Sequence, residues 1–176
     1  DFNGDGRPDL VVSDYDHHHV SILINNSMQV ETVSPASYKG ARIARGSIAS
    51  AFGANLAGTT EVAQNMPLPS VLADTSVSIK DSNSREFLAP LFFVSPSQIN
   101  YLIPSDVNLG AAVVTVTNKD NTSSGTILIT SVAPGLFTAN ADGQGVPAAV
   151  LLRIKPDGTQ IYEAISQFDS VSKRFI

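Results

Sequence analysis

The chain has 176 residues, the length of one ordinary domain or of one domain with pieces of its neighbours attached. Hydrophobic residues make up 43% and charged residues 15%, against about 25% charged in typical globular chains, so the composition supports a buried core and excludes disorder. Eleven Lys and Arg against sixteen Asp and Glu give a net charge of −5, which lacks the basic footprint of a nucleic-acid binder. The absence of cysteine removes disulfides, thiolate nucleophiles and Cys-ligated zinc. No stretch reaches the ~20 apolar residues of a membrane span, and no basic-then-apolar leader opens the sequence.

The first ten residues carry the clearest chemical signal. Asp1, Asn3, Asp5 and Asp9 place side-chain oxygens at a spacing that converges on one hard cation, and the backbone carbonyl of Arg7 supplies a further oxygen. Gly4 and Gly6 let the backbone fold tightly around the ion. Calcium is the expected cofactor, since it prefers such oxygen ligands. An EF-hand or dockerin loop needs an acidic ligand at its twelfth position, where this chain has Val12. The loop runs instead into Leu10-Val11-Val12, a strand by its β-branched pair, and Val20 to Ile24 reads as a second strand that completes a hairpin.

Residues 1–26 thereby resemble a calcium-loop repeat of the FG-GAP or VCBS type, in which Asp-x-Asn-x-Asp-Gly-x-x-Asp-Leu opens onto a propeller blade. The resemblance implies a partial blade over residues 1–29. One blade cannot close a propeller, so the chain is expected to be a fragment whose flanking domains belong to the same polypeptide. A terminal Asp1 would add a positive α-amino group beside the ion and fray, giving an expected Kd on the order of 10⁻⁴ to 10⁻³ M, by analogy with extracellular calcium modules.

Residues 30–45 carry turn formers without sustained periodicity and read as a linker. Beyond Gly46, short β-rich runs recur between turn signals: Ser47 to Phe52, Val71 to Ile79, Leu88 to Val94, Ile99 to Ile103, Ala112 to Thr117 and Thr126 to Val132. Ile99, Tyr101 and Ile103 alternate with Asn100 and Leu102, and Val114 and Val116 alternate with Thr115 and Thr117, as half-buried antiparallel strands require. Residues 118–125 read as a polar loop between two strands. The expected fold is an all-β, immunoglobulin-like sandwich over residues 46–134. A further β-hairpin is expected within 135–176, from Ala148 to Ile154 and Gln160 to Ile165 around the turn Lys155-Pro156-Asp157-Gly158.

Three segments carry a second resemblance: Gly46 to Ala57, Ala89 to Tyr101 with its Pro-Leu-Phe-Phe-Val-Ser-Pro-Ser-Gln-Ile-Asn-Tyr run, and Ala133 to Asn140. They are similar to the uncharacterised C-terminal module of secreted proteins from Solibacter-type acidobacteria, whose first part looks like an IPT/TIG domain. The resemblance implies an extracellular or cell-surface location, an immunoglobulin-like sandwich and, after it, the start of a second module.

Other chemistry is thin. His17-His18-His19 splay on a strand or hairpin tip, so a solvated tip outweighs a transition-metal site, and no histidine lies elsewhere to serve as a general base. Glu31, Glu61, Glu86 and Glu163 sit in no recognisable catalytic motif and read as solvated charge. Phe92, Phe93, Tyr101 and Phe137 read as core rather than as a sugar platform. The expected function is therefore a non-catalytic adhesion or spacer module with a calcium loop. The rival is an accessory domain of a secreted hydrolase that binds an extracellular polysaccharide or a surface protein.

Overall fold

The structure is a computed structural model that describes residues 2, 9–14, 19–23, 28–40, 42–119 and 121–176. Its strands in chain order are β1 (Leu10–Asp14), β2 (His19–Leu23), β3 (Met28–Gln29), β4 (Glu31–Val33), β5 (Arg42–Ala44), β6 (Ile48–Phe52), β7 (Glu61–Val62), β8 (Val71–Leu72) and β9 (Thr75–Lys80). They continue with β10 (Glu86–Leu88), β11 (Leu91–Val94), β12 (Gln98–Leu102), β13 (Gly110–Asn118), β14 (Asn121–Thr130), β15 (Val150–Ile154), β16 (Gln160–Ala164), β17 (Phe168–Asp169) and β18 (Arg174–Phe175). Among the described residues there is no helix, and so none long and apolar enough to cross a membrane.

Two sheets face each other. One runs β4-β6-β12-β11-β7; the other runs β10-β9-β13-β14-β3, with β5 also on β14 and β8 on β9. With β6, β9, β11, β12, β13 and β14 as strands B, C, D, E, F and G, this is the A-B-E-D against C-F-G arrangement of an immunoglobulin-like sandwich. The first strand is divided. β4 pairs antiparallel with β6 in one sheet, while β3 and β5 pair parallel with opposite ends of β14 in the other.

The core follows from the period-2 alternation. Ala49 and Ala51 of β6, Leu91 and Val94 of β11 and Ile99 and Tyr101 of β12 meet Val77 and Ile79 of β9, Val114 and Val116 of β13 and Ile127 and Ile129 of β14, all buried. Full burial of each Val, Leu or Ile is worth about 1.5–3 kcal/mol, so the sandwich carries the stability of the chain. The end hairpins β1–β2 and β15–β16 contribute far less: Leu10, Val20, Val150 and Ile154 stay 58%, 63%, 64% and 64% exposed. Among the described residues each of these hairpins pairs only with itself, in a two-stranded sheet.

The sandwich begins earlier than expected. Residues 30–45, read as a linker, carry β4 and β5, and Met28–Gln29, assigned to the blade, pair with β14. Val30, Val33 and Ile43 are 5%, 4% and 1% exposed. The strands here are only three residues long and are interrupted by the turn at 35–37, too short for alternation to register.

Of residues 118–125, Asn118 and 121–125 are likewise strand rather than loop. β13 and β14 run on through them in register Asn118↔Asn121 to Thr115↔Ser124, with Ser123 turned into the interior at 4% exposure. Polar side chains on a long hairpin imitate a loop in sequence. The run Val71 to Ile79 breaks into β8 and β9 because Ala73 and Asp74 adopt left-handed φ of 47° and 56°, a tight hairpin turn made without glycine. Leu88 to Val94 divides at Ala89-Pro90, where β10 and β11 belong to different sheets. The β15–β16 hairpin forms as expected, closed by hydrogen bonds from Lys155 N–H to Thr159 and from Gly158 N–H to Lys155. β17–β18 was not foreseen.

Candidate functional site

Of the calcium-loop residues, Asp1, Asn3, Asp5 and Arg7 lie outside the described residues, as do His17 and His18. Asp9 is described: it directly precedes β1, and its Oδ2 accepts the Phe2 backbone N–H at 2.6 Å. Among the described residues no group of three or more His, Cys, Asp or Glu side chains comes together.

A groove lies where the first strand changes sheets. β3 pairs with β14, Val30 N–H donates to the Ser124 carbonyl at 3.0 Å, and the chain then crosses to become β4 against β6. The crossing is possible because position 125 is glycine. An added Cβ there would lie 1.9 Å from the Val30 carbonyl oxygen. The crossing leaves a groove of about 890 Å³, floored by Val30, Gly53 and Gly125. Its walls carry Gln29, Glu31 and Thr32 from the crossing strand, Phe52 from β6, Val113 from β13, and Ser124 and Thr126 from β14. Glu31 and Phe52 are direct cross-strand partners, which sets carboxylate and ring side by side on one face. Tyr38 stacks on Phe52 with ring centroids 6.4 Å apart and planes 26° from parallel.

Tyr38 sits at φ 52°, a left-handed conformation that a bulky residue rarely adopts. Its turn is held from two sides. Tyr38 N–H donates to the Ser34 carbonyl at 2.8 Å, and Gly143, itself at φ 74°, packs against the Ser37 carbonyl so closely that a Cβ would lie 2.1 Å from that oxygen. The loop that contains Gly143 also docks the end of the chain. Asn140 Nδ2 donates to the Phe175 carbonyl at 3.1 Å, Phe175 N–H donates to Asn140 Oδ1 at 2.8 Å, and Arg174 pairs with Asp142. The backbone N–H of Gln144 first, then the Arg174 guanidinium, hold the Asp142 carboxyl below the ordinary range.

Elsewhere Thr32, Tyr101 and Asp81 spend their buried polar groups on joining strands and closing a turn, while Asn118 Oδ1 is buried without a hydrogen-bond partner. Thr32 Oγ1 and Tyr101 Oη share a hydrogen bond of 3.1 Å inside the core, and burial, only partly opposed by Thr32, pushes the phenol far above its usual pKa. Asp81 caps the β9–β10 turn: Oδ1 accepts the N–H groups of Asn83 and Arg85, each at 2.9 Å, while Oδ2 accepts the Asn108 side chain at 2.7 Å and its N–H at 3.2 Å. Desolvation pushes this carboxyl up, but the hydrogen bonds outweigh it and leave it below the ordinary carboxylate value.

Among the aromatics read as core, Tyr101 is fully buried, Phe92 and Phe93 are half-buried, and Phe137 is 63% exposed, outside the core. Glu31, Glu61 and Glu86 are exposed, and Glu163 is half-buried in a bidentate pair with Arg153 across β15–β16. The groove residues escaped the sequence reading because they come from segments around 30, 52, 113 and 125 that share no local spacing.

No family model and no curated protein matches the chain. A solved structure from Bacteroides vulgatus, described as a "Putative bacterial DNA binding protein", is similar at 22% identity over 52% of this chain and 42% of that one, with a TM-score of 0.37. The match therefore spans less than half of that chain. At that level of similarity, its description says nothing of this one.

Proposed function

We propose that this chain is a non-catalytic adhesion or spacer module of an extracellular or cell-surface protein. A rigid sandwich holds its neighbours apart, and a calcium loop pins the hairpin at one end. The observation that carries this reading is the disposition of polar and apolar groups. Thr32, Ser50, Asp81 and Ser95 spend their buried side-chain oxygens on strand-to-strand or turn hydrogen bonds, while the apolar residues left exposed concentrate in the hairpins at the two ends of the chain. Reactive sites gather several ionisable groups in a cleft, whereas the groove at the strand crossing carries one ionisable side chain, Glu31, among the described residues that line it. Apolar hairpins of this kind suit strands that continue into neighbouring sheets.

Calorimetry of the whole chain with calcium at millimolar concentration tests the loop. Heat that saturates, and that disappears in Asp5→Ala and Asp9→Ala, supports it; no calcium-dependent heat removes calcium from the reading. Assays of the purified chain against glycoside, ester and peptide substrates test the non-catalytic part, with no turnover expected.

A further inference from the structure

We propose that the groove at the strand crossing is a binding site for an uncharged oligosaccharide. The proposal rests on the reading of the chain as an adhesion module and names where adhesion takes place. At about 890 Å³ the groove falls in the range of small-molecule sites, about 300–1,000 Å³. Its walls combine the two things a pyranose requires. The Phe52 ring, backed by Tyr38, offers an apolar face to the C–H side of a sugar ring. Around it Glu31 offers two acceptor oxygens suited to a pair of neighbouring hydroxyls, Gln29 both donor and acceptor, and Thr126 a hydroxyl.

The ligand's charge follows from the lining. Glu31 is the only charged residue among the described residues that line the groove, and the chain carries −5 overall, so an anionic polysaccharide would be repelled. A peptide strand is disfavoured for a different reason. Strand addition needs a run of open sheet edge, and on this side β14 is paired with β3 at residues 123–124 and with β5 at 128–130, which leaves only residues 125–127 between them, while the edge of β4 is three residues long and bridges Gly40 through Val33.

The test is a ¹⁵N-¹H NMR titration of the whole chain with cello-, laminari-, xylo- and mannohexaose, and with a Thr- and Val-rich decapeptide as the rival probe. Saturable shifts centred on Glu31, Phe52 and Thr126 with at least one hexaose are expected. Glu31→Ala and Tyr38→Ala should each weaken that binding by roughly tenfold, with Glu31→Ala leaving the melting temperature unchanged. The proposal is overturned by hexaoses that leave these amides unmoved, by shifts centred elsewhere, by binding that Glu31→Ala does not weaken, or by the decapeptide alone moving the same amides. New reducing-end signals during the titration would instead overturn the non-catalytic reading while leaving the groove assigned.

Discussion

Gly125 lies directly beneath the Val30 carbonyl, with no room for even a methyl group between strand and crossing chain. That contact decides whether the first strand can leave one sheet for the other. Gly125→Ala should push the crossing away from β14 and cost about 1–3 kcal/mol, a fall in melting temperature on the order of 5 °C. Gly58→Ala, at a position with open space around it and no left-handed backbone, should leave the melt within about 1 °C. Differential scanning calorimetry distinguishes the two, and equal melts would show that the crossing is not constrained at Gly125.

The Thr32–Tyr101 hydrogen bond joins β4 to β12 inside the core. In Tyr101→Phe the ring still fills its space, but the Thr32 hydroxyl loses its partner, at a cost of about 1–2 kcal/mol. Tyr101→Phe combined with Thr32→Val removes both polar groups and should recover part of that loss. Urea unfolding of the two variants checks the order; a double variant less stable than the single one would contradict it.

Asp81 makes the stability of the β9–β10 end depend on pH. Its folded pKa lies below the unfolded value of about 3.9, so its contribution is present above that value and is lost as pH falls through the folded pKa. Asp81→Asn should therefore melt below the parent at pH 7, and the gap between the two should close as pH falls below the unfolded value of about 3.9. Melting temperatures that stay a constant interval apart as pH falls would contradict the account.

Asn140 acts as a short strand for Phe175, giving and accepting one hydrogen bond each. Asn140→Ala should release β17–β18 and raise amide exchange there by roughly tenfold, while β9, β13 and β14 keep their protection. Hydrogen exchange read by mass spectrometry checks this. Unchanged protection of Phe175 would mean that the Arg174–Asp142 pair and the Phe168–Phe175 ring contact hold the segment by themselves.

How much the sequence disclosed depended on run length and on which side of a strand faced water. Ile99, Tyr101 and Ile103 alternate over five residues and their burial was legible, as were Val114 and Val116. Glu31-Thr32-Val33 and Arg42-Ile43-Ala44 offer three residues each, and their strand character comes from β6 and β14, partners far along the chain. The polar half of the β13–β14 hairpin was hidden because Asn, Ser and Thr serve an exposed strand as readily as a loop. The groove had no local signature, since Glu31 and Phe52 meet only through the pairing of β4 with β6.

The most direct test of the central claim follows anomeric proton signals by NMR while the whole chain, at high micromolar concentration with millimolar calcium, is held for a day with each neutral hexaose. A protein that grips and positions leaves the sugar spectrum chemically unchanged, altered only in linewidth and shift. New reducing-end anomeric resonances that grow with time and with protein concentration would contradict it.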